Sequence, residues 1–209
     1  IDTDKKLLVK LDWNINDVHR ADFTFQYQDN VEQRNFTDSD STLRLASNGY
    51  DYQTLTSNYA GHLFSDWTDS FSTEFSFAYK DVQIDSLLNA KTAAYSIRTS
   101  NNTTIQGGTD VFRHANFATN ENLRLGFTGT YLMDEHTLTF GAEYESLNIY
   151  NLFAESSLGS WQFNNTGSGA ALVTGVTRLK NKTASVFDYK NAPSNNIDDT
   201  AMDLTRDTQ

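Results

Sequence analysis

Apolar and polar residues alternate along the start of the chain. Between residues 7 and 15 the odd-numbered positions are apolar and most even-numbered positions are polar, and after a polar stretch at 16–19 the alternation continues to residue 28. A period of two over this length predicts two half-buried β-strands joined by a short turn. The apolar positions are Leu7, Val9, Leu11, Trp13, Ile15, Ala21, Phe23, Phe25 and Tyr27.

The same pattern returns twice further along the chain. In the second hairpin the arm at 71–80 alternates clearly, whereas the preceding arm is weaker, with Leu55, Tyr59 and Leu63 spaced among polar and small residues. The third hairpin occupies residues 123–145. The chain is therefore predicted to contain about six clear strands paired in three hairpins.

The lengths of the connections indicate what kind of sheet these hairpins form. Within the hairpins the turns are short, at 16–19, 66–69 and 133–135, whereas the connections between hairpins, at 29–49 and 81–120, are long and polar. Structureless connections of this length are uncommon in soluble domains. Short turns at one end and long loops at the other are typical of outer-membrane barrels. The predicted fold class is all-β, a segment of an antiparallel up-and-down transmembrane β-barrel with periplasmic turns and extracellular loops.

The charges in the clear arms all fall on the polar side of the alternation. A charge on the lipid-facing side of a barrel is destabilising, although a soluble sandwich would also exclude charge from its core. The charged residues are Lys10, Asp12, Arg20, Asp22, Glu74, Lys80, Arg124, Glu143 and Glu145. We expect Phe25, Phe75, Phe127 and Phe140 to face lipid, and Asp22, Glu74, Arg124 and Glu143 to face a wet lumen.

Aromatic residues occur at two levels along the arms. Trp13, Trp67 and Tyr131 are close to the short turns, whereas Tyr27, Tyr79 and Tyr144 are at the far ends. Two aromatic levels match the interfacial girdles of membrane barrels. The arm at 7–15 also approaches the roughly 9–11 residues that a tilted spanning strand needs.

Composition excludes several other classes of function. The 209-residue chain has a formal net charge of −11, which argues against nucleic acid as a partner. It has no cysteine, so disulfides and thiolate metal sites are impossible. No stretch approaches the length of a transmembrane helix.

No motif for catalysis, cofactor binding or metal binding is visible, and the chain is not predicted to be an enzyme. His19, His62, His114 and His136 are scattered without metal-ligand spacing. Asp38 and Asp40 belong to an acidic stretch that lacks the twelve-residue loop of a calcium site. An outer-membrane protease is the enzymatic alternative, for which Asp110 and His114 are the candidate pair.

Three segments resemble the barrel region of TonB-dependent outer-membrane receptors, in particular the Oar-like branch. They read LDWNINDVHRADFTFQYQ, DVFRHANFATNENLRLGFTGTYLMDEHTLTFGAEYE and LNIYNLFAESSLGSWQF, the last at 147–163. The resemblance covers residues 5–165, and the middle segment is its most specific part. Because these are wall motifs, they indicate the family more strongly than they indicate a ligand.

The resemblance implies a plugged barrel of about 22 strands in the outer membrane of a Gram-negative bacterium. It implies energised uptake of a scarce nutrient: a siderophore, cobalamin, a glycan or a peptide. The implied partners are outer-membrane lipid and lipopolysaccharide, the receptor's own plug domain, and TonB, which engages an N-terminal part. No cofactor is expected. Because about six strands cannot close a barrel, residues 1–209 are expected to be part of one barrel domain, with two to four strands after residue 147. The plug and the remaining strands would lie outside this chain.

Two other classes of protein remain open at this stage. One is a small stand-alone outer-membrane barrel acting as an adhesin or structural protein, and the other is a soluble carbohydrate-binding β-sandwich. In the receptor hypothesis the long loops form part of a ligand-capturing mouth, which Tyr50, Tyr52, Trp161, Asp38 and Asp40 could join.

Overall fold

The computed structural model describes residues 2–35 and 38–208, so positions 36 and 37 of the predicted 29–49 connection lie outside it. The protein is all-β, as predicted, with 64% of its residues in strands, and most of its strand pairs are antiparallel. Among the described residues, no helix is long and apolar enough to cross a membrane. The strands are β1 (Thr3–Asn14), β2 (His19–Arg34), β3 (Thr42–Arg44), β4 (Tyr50–Thr68), β5 (Phe71–Leu88), β6 (Ala94–Arg98), β7 (Thr104–Gly107), β8 (Ala115–Met133), β9 (His136–Ala154), β10 (Ser160–Phe163), β11 (Val186–Asp188) and β12 (Met202–Thr208). One short α-helix, α1, spans Gly175–Lys180.

Seven strands form one large sheet, which we call the wall. Its order is β1-β2-β4-β5-β8-β9-β12, and every neighbouring pair is antiparallel. The three predicted hairpins are therefore correct. At the first turn, the Asn16 side chain accepts hydrogen bonds from the backbone N–H groups of Val18 and His19. This local bonding fixes the tight reversal that the sequence predicted.

The wall strands extend further into the predicted loops than the alternation indicated. β2 continues to Arg34, β5 continues to Leu88 and β8 begins at Ala115, so much of 29–49 and 81–120 is strand rather than loop. In β5 the apolar residues mostly have odd numbers up to Tyr79 and mostly even numbers from Val82 onwards. The register with β8 nevertheless continues unchanged through this point. This change of phase hides the strand from a search for period two.

The parts of the long connections that lie outside the wall are not structureless. The prediction that these connections are simple loops was therefore wrong. They pair into a five-stranded sheet of order β11-β10-β6-β7-β3, which we call the loop sheet. Its strands come from three connections that are distant in sequence, the predicted ones at 29–49 and 81–120 and a third at 155–201 between β9 and β12. Two of its pairs, β3–β7 and β6–β10, are parallel. All three connections leave the same end of the wall, the loop end, and the short turns lie at the turn end.

The buried core lies at the loop end rather than within the wall. Ile97 and Phe163 share a pleat of the loop sheet, each with only 7% of its surface exposed. At Gly175, where α1 begins, a Cβ atom would lie 2.0 Å from the carbonyl oxygen of Phe163, so α1 can contact the sheet only through a glycine. The loop sheet therefore has a small core of its own.

The wall is an open sheet within the described residues. β1 and β12 are its two edges and do not pair with each other, so no closed barrel is formed. Three strands follow β9, of which β12 joins the wall while β10 and β11 join the loop sheet.

Candidate functional site

The strand register divides the wall into an apolar face and a polar face. Phe75 pairs with Leu63 on one side and with Phe127 on the other, and Phe127 pairs with Ala142. Residues paired in this way project from the same face. The four predicted lipid-facing residues, Phe25, Phe75, Phe127 and Phe140, therefore share the apolar face, and the four predicted lumen residues, Asp22, Glu74, Arg124 and Glu143, share the polar face.

The apolar face is exposed along the wall. Leu11 is 60% exposed, Trp13 65% and Phe75 46%, and Phe127 and Phe140 are similarly open. The Phe140 ring lies over Gly129, where a Cβ atom would come within 2.5 Å of it. Large apolar side chains thus cover even the glycine positions of this face.

Aromatic residues border the apolar face at both ends. Towards the loop end, the rings of Tyr59 and Tyr79 lie 6.2 Å apart on adjacent strands, and Phe25 contacts Tyr59 at 4.9 Å. Towards the turn end, Tyr131 packs against Phe71 with 6.3 Å between ring centroids. The predicted two aromatic levels are therefore present on one continuous face.

Some of the charges on the polar face are paired with each other. His62 Nδ1 lies 2.9 Å from Asp22 Oδ1, and Arg124 Nε lies 3.2 Å from Glu145 Oε1. Asn122 donates a further hydrogen bond of 2.6 Å to the same Glu145 oxygen. This arrangement holds polar side chains in fixed positions on a wet surface but brings together no nucleophile and base.

The candidate protease pair at the loop end has structural roles. Asp110 accepts hydrogen bonds from Phe112 N–H at 3.0 Å and from the Asn35 amide at 2.7 Å. His114 Nδ1 accepts from the backbone N–H of Leu158 at 3.0 Å, and Nε2 lies 3.3 Å from the Thr109 carbonyl oxygen. Both ring nitrogens are therefore bound to backbone groups. His114 joins two of the long connections and does not act on a nucleophile.

Acidification is expected to loosen this junction. Burial lowers the pKa of His114 below its ordinary value of 6.5, so at neutral pH the ring is uncharged in the folded protein. The unfolded chain binds a proton at His114 more readily than the folded protein does. The stability that neutral His114 contributes is therefore complete above the pKa of the unfolded chain, and it is lost as pH falls through the lower pKa of the folded protein. We expect the Leu158 amide to exchange hydrogen faster at about pH 5 than at about pH 7.5, after correction for intrinsic rates.

A matched pair of variants separates this effect from general acid sensitivity. His114→Gln removes the titrating group and should abolish the pH dependence, whereas His136→Gln, at the exposed start of β9, should leave it unchanged. Equal protection of the Leu158 amide at both pH values in the unaltered protein would contradict the assignment.

The remaining residues predicted to line a mouth are dispersed over the loop end. Tyr50 is buried, and the Arg113 guanidinium lies over its ring at 5.4 Å and over that of Tyr52 at 5.7 Å. Trp161 stacks on Phe187 with 4.2 Å between centroids, and Asp38 accepts a hydrogen bond from the backbone of Arg44. Asp40 is exposed. Across residues 2–35 and 38–208 no three His, Cys, Asp or Glu side chains are grouped to hold a metal ion.

A cleft on the loop sheet was not predicted from the sequence. It encloses about 210 Å³ beside the 3₁₀ segment Val111–Arg113, and we call it the loop-sheet cleft. Its polar lining residues are Asn48, Ser96, Gln106, Asp110, Ser160 and Gln162, and Phe112 forms part of its border. These residues come from all three long connections, so no local motif reveals them.

No family model, curated protein or solved structure matches the chain. The resemblance to TonB-dependent receptors therefore stays a prediction from the quoted segments, and function is argued from the geometry of the wall and the loop end.

Proposed function

We propose that the wall is part of the barrel of a TonB-dependent outer-membrane receptor that takes up a scarce nutrient. The observation that carries the proposal is the exposed apolar face with aromatic residues at both ends. Soluble monomers rarely expose contiguous apolar patches beyond a few hundred Å². A face of this kind is stable when lipid covers it.

The height of the apolar face supports a lipid partner. From Phe71 to Tyr79 on β5 the chain rises about 27 Å at roughly 3.4 Å per residue, and a tilt of about 40° reduces this to about 20 Å. The apolar band of outer-membrane barrels is about 25 Å tall. β5 itself has 18 residues, and it therefore extends well beyond the band at the loop end.

A soluble β-sandwich is less compatible with this geometry. A sandwich buries one face of each sheet against the other at about 10 Å. Trp13 and Phe75 stay exposed on the wall, and the loop sheet lies at the end of the strands rather than over this face. Within the part of the chain that the structure describes, nothing fills the position of a second layer.

A stand-alone barrel acting as an adhesin would require a different topology. Among the described residues β1 and β12 are opposite edges of the sheet and do not pair, so these seven strands do not close by themselves. In the receptor, further strands continue the wall on both sides. A plug domain encoded upstream in the same reading frame would support the receptor, and an open reading frame without one would support the adhesin.

In the proposed receptor this chain performs no bond chemistry. The apolar face contacts outer-membrane lipid, and lipopolysaccharide surrounds the strands above it. The polar face, with pairs such as Arg124–Glu145, lines the lumen and contacts the plug. TonB supplies energy through the plug, and the loop end meets the nutrient, which is a siderophore, cobalamin, a glycan or a peptide.

The orientation of the wall provides the test. Outer-membrane barrels keep their short turns in the periplasm and their long loops outside. Epitope tags inserted beside Ser41 and Asn102, at the loop end, should bind antibody on intact cells, and a tag at Asp134, at the turn end, should bind only after permeabilisation. Antibody binding to the Asp134 tag alone would invert the orientation and exclude the loop sheet from ligand capture.

A further inference from the structure

Four neutral polar side chains project into the loop-sheet cleft. Gln162, Ser96 and Gln106 are register partners across β10, β6 and β7, so they form a row on one face of the loop sheet. Ser160 lies two residues before Gln162 on the same face. All four are half-buried and line the cleft.

These side chains have unused hydrogen-bonding capacity. Asp110 and Asn48, which also line the cleft, are bonded to other protein groups. None of the four side chains, those of Ser96, Gln106, Ser160 and Gln162, has a hydrogen bond to any part of the chain that the structure describes. Amide and hydroxyl groups can both donate and accept, so together they suit a ligand with several hydroxyl groups.

An aromatic ring borders the same cleft. Phe112 is 48% exposed, although its backbone is held firmly by the hydrogen bond from its N–H to Asp110 Oδ1. A large exposed ring on a fixed backbone provides an apolar surface for the C–H face of a sugar. The cleft therefore combines a hydrogen-bonding floor with one apolar side, which suits a sugar ring, because its hydroxyl groups are polar and its C–H face is apolar.

From this geometry we infer that the loop-sheet cleft binds one ring of a neutral carbohydrate. The inference rests on the proposed function, since it names the class of nutrient that the receptor takes up. At about 210 Å³ the cleft is smaller than the roughly 300–1,000 Å³ typical of drug-sized ligands, so it accommodates a single ring of a longer glycan.

Charge argues against the other three nutrient classes at this cleft. Among the described residues that line the cleft, only Asp110 is charged, and the whole chain carries a net charge of −11. An anionic siderophore complex would be repelled. The charged ends of a peptide would find no cation in the lining, and the volume is too small for cobalamin.

Direct binding measurements test the inference. The protein is purified from outer membranes in detergent and screened by saturation-transfer NMR against glucose, galactose, mannose, xylose, maltose and cellobiose, with galacturonate and glucosamine as charged probes. Binders are then titrated by calorimetry. We expect at least one neutral sugar to bind and its affinity to fall about tenfold in Gln106→Ala and in Phe112→Ala.

Two matched variants control for the substitutions themselves. Gln83→Ala, on the same side of β5 as Tyr79, and Phe153→Ala, on β9, make the same chemical changes outside the cleft and should bind as the unaltered protein does. Circular dichroism confirms that every variant is folded.

Three results would overturn the inference: no neutral sugar binds, galacturonate binds more tightly than galactose, or the cleft and control variants bind equally. These failures are separable from failure of the proposed function. A wall that proves to lie in lipid, combined with absence of sugar binding, rejects the carbohydrate and keeps the receptor. If the cleft binds sugar but the wall does not lie in lipid, the receptor is rejected and the carbohydrate site is retained.

Discussion

Replacing Phe127 with arginine is expected to abolish stable insertion of the wall into the membrane, because it should destabilise the inserted protein by about 2–4 kcal/mol. Phe127 lies on the apolar face midway between the two aromatic levels, because it pairs with Phe75, which is halfway between Phe71 and Tyr79 on β5. In the proposed barrel, an arginine there would be at the centre of the bilayer, where desolvation of the guanidinium is most costly.

The neighbouring residue provides a matched control for this substitution. Thr128 lies next along β8 and projects from the polar face, where it pairs with Glu74. Thr128→Arg should keep most of the folded protein in isolated outer membranes, whereas Phe127→Arg should leave little. Equal loss in both variants would mean that the strand tolerates no arginine on either face, and equal retention would mean that Phe127 does not meet lipid.

Replacing Phe163 with alanine is expected to unfold the loop sheet while the wall stays folded. Deleting a buried phenylalanine side chain typically costs about 3–5 kcal/mol. Phe163 belongs to the small core of the loop sheet, where it pairs with Ile97 and contacts the start of α1. A core with so few buried residues contributes little free energy of folding. Disrupting it should therefore unfold all three long connections together.

Phe187→Ala is the control that distinguishes loss of the buried core from loss of any phenylalanine of the loop sheet. Phe187 is 52% exposed and stacks on Trp161, so Phe187→Ala should destabilise the loop sheet far less. Hydrogen exchange of β6 and β10, measured against β4 and β5, reports the outcome. Loss of protection in β4 and β5 of Phe163→Ala would show that the two sheets unfold as one unit.

The sequence predicted the wall because its stabilising pattern is local. Alternation along 7–28 and 123–145 is visible within each strand, and the Asn16 turn is encoded by adjacent residues. The extension of β5 was missed because its apolar positions change from odd to even numbers between Tyr79 and Val82.

The loop sheet and its cleft could not be predicted for a different physical reason. Their strands have only three to five residues, too few to show a period. Two of the pairs are parallel and join segments far apart in sequence. Gln162 becomes a neighbour of Ser96 only through one of these parallel pairs, and Gln106 does so through the short antiparallel pair of β6 and β7. Neither glutamine belongs to a recognisable motif. His114 likewise looked like one of four scattered histidines until folding placed it between two connections.

The central claim is that lipid covers the apolar face, and the absence of cysteine makes it directly measurable. Single cysteines replace Phe25, Phe75, Phe127 and Phe140 on one face and Asp22, Glu74, Arg124 and Glu143 on the other. Each variant is labelled in outer membranes with a water-soluble maleimide and, separately, with a lipid-soluble one. We predict that the first set reacts only with the lipid-soluble reagent and that the second set reacts with the water-soluble one. Equal reaction of both sets with the water-soluble maleimide would contradict the account.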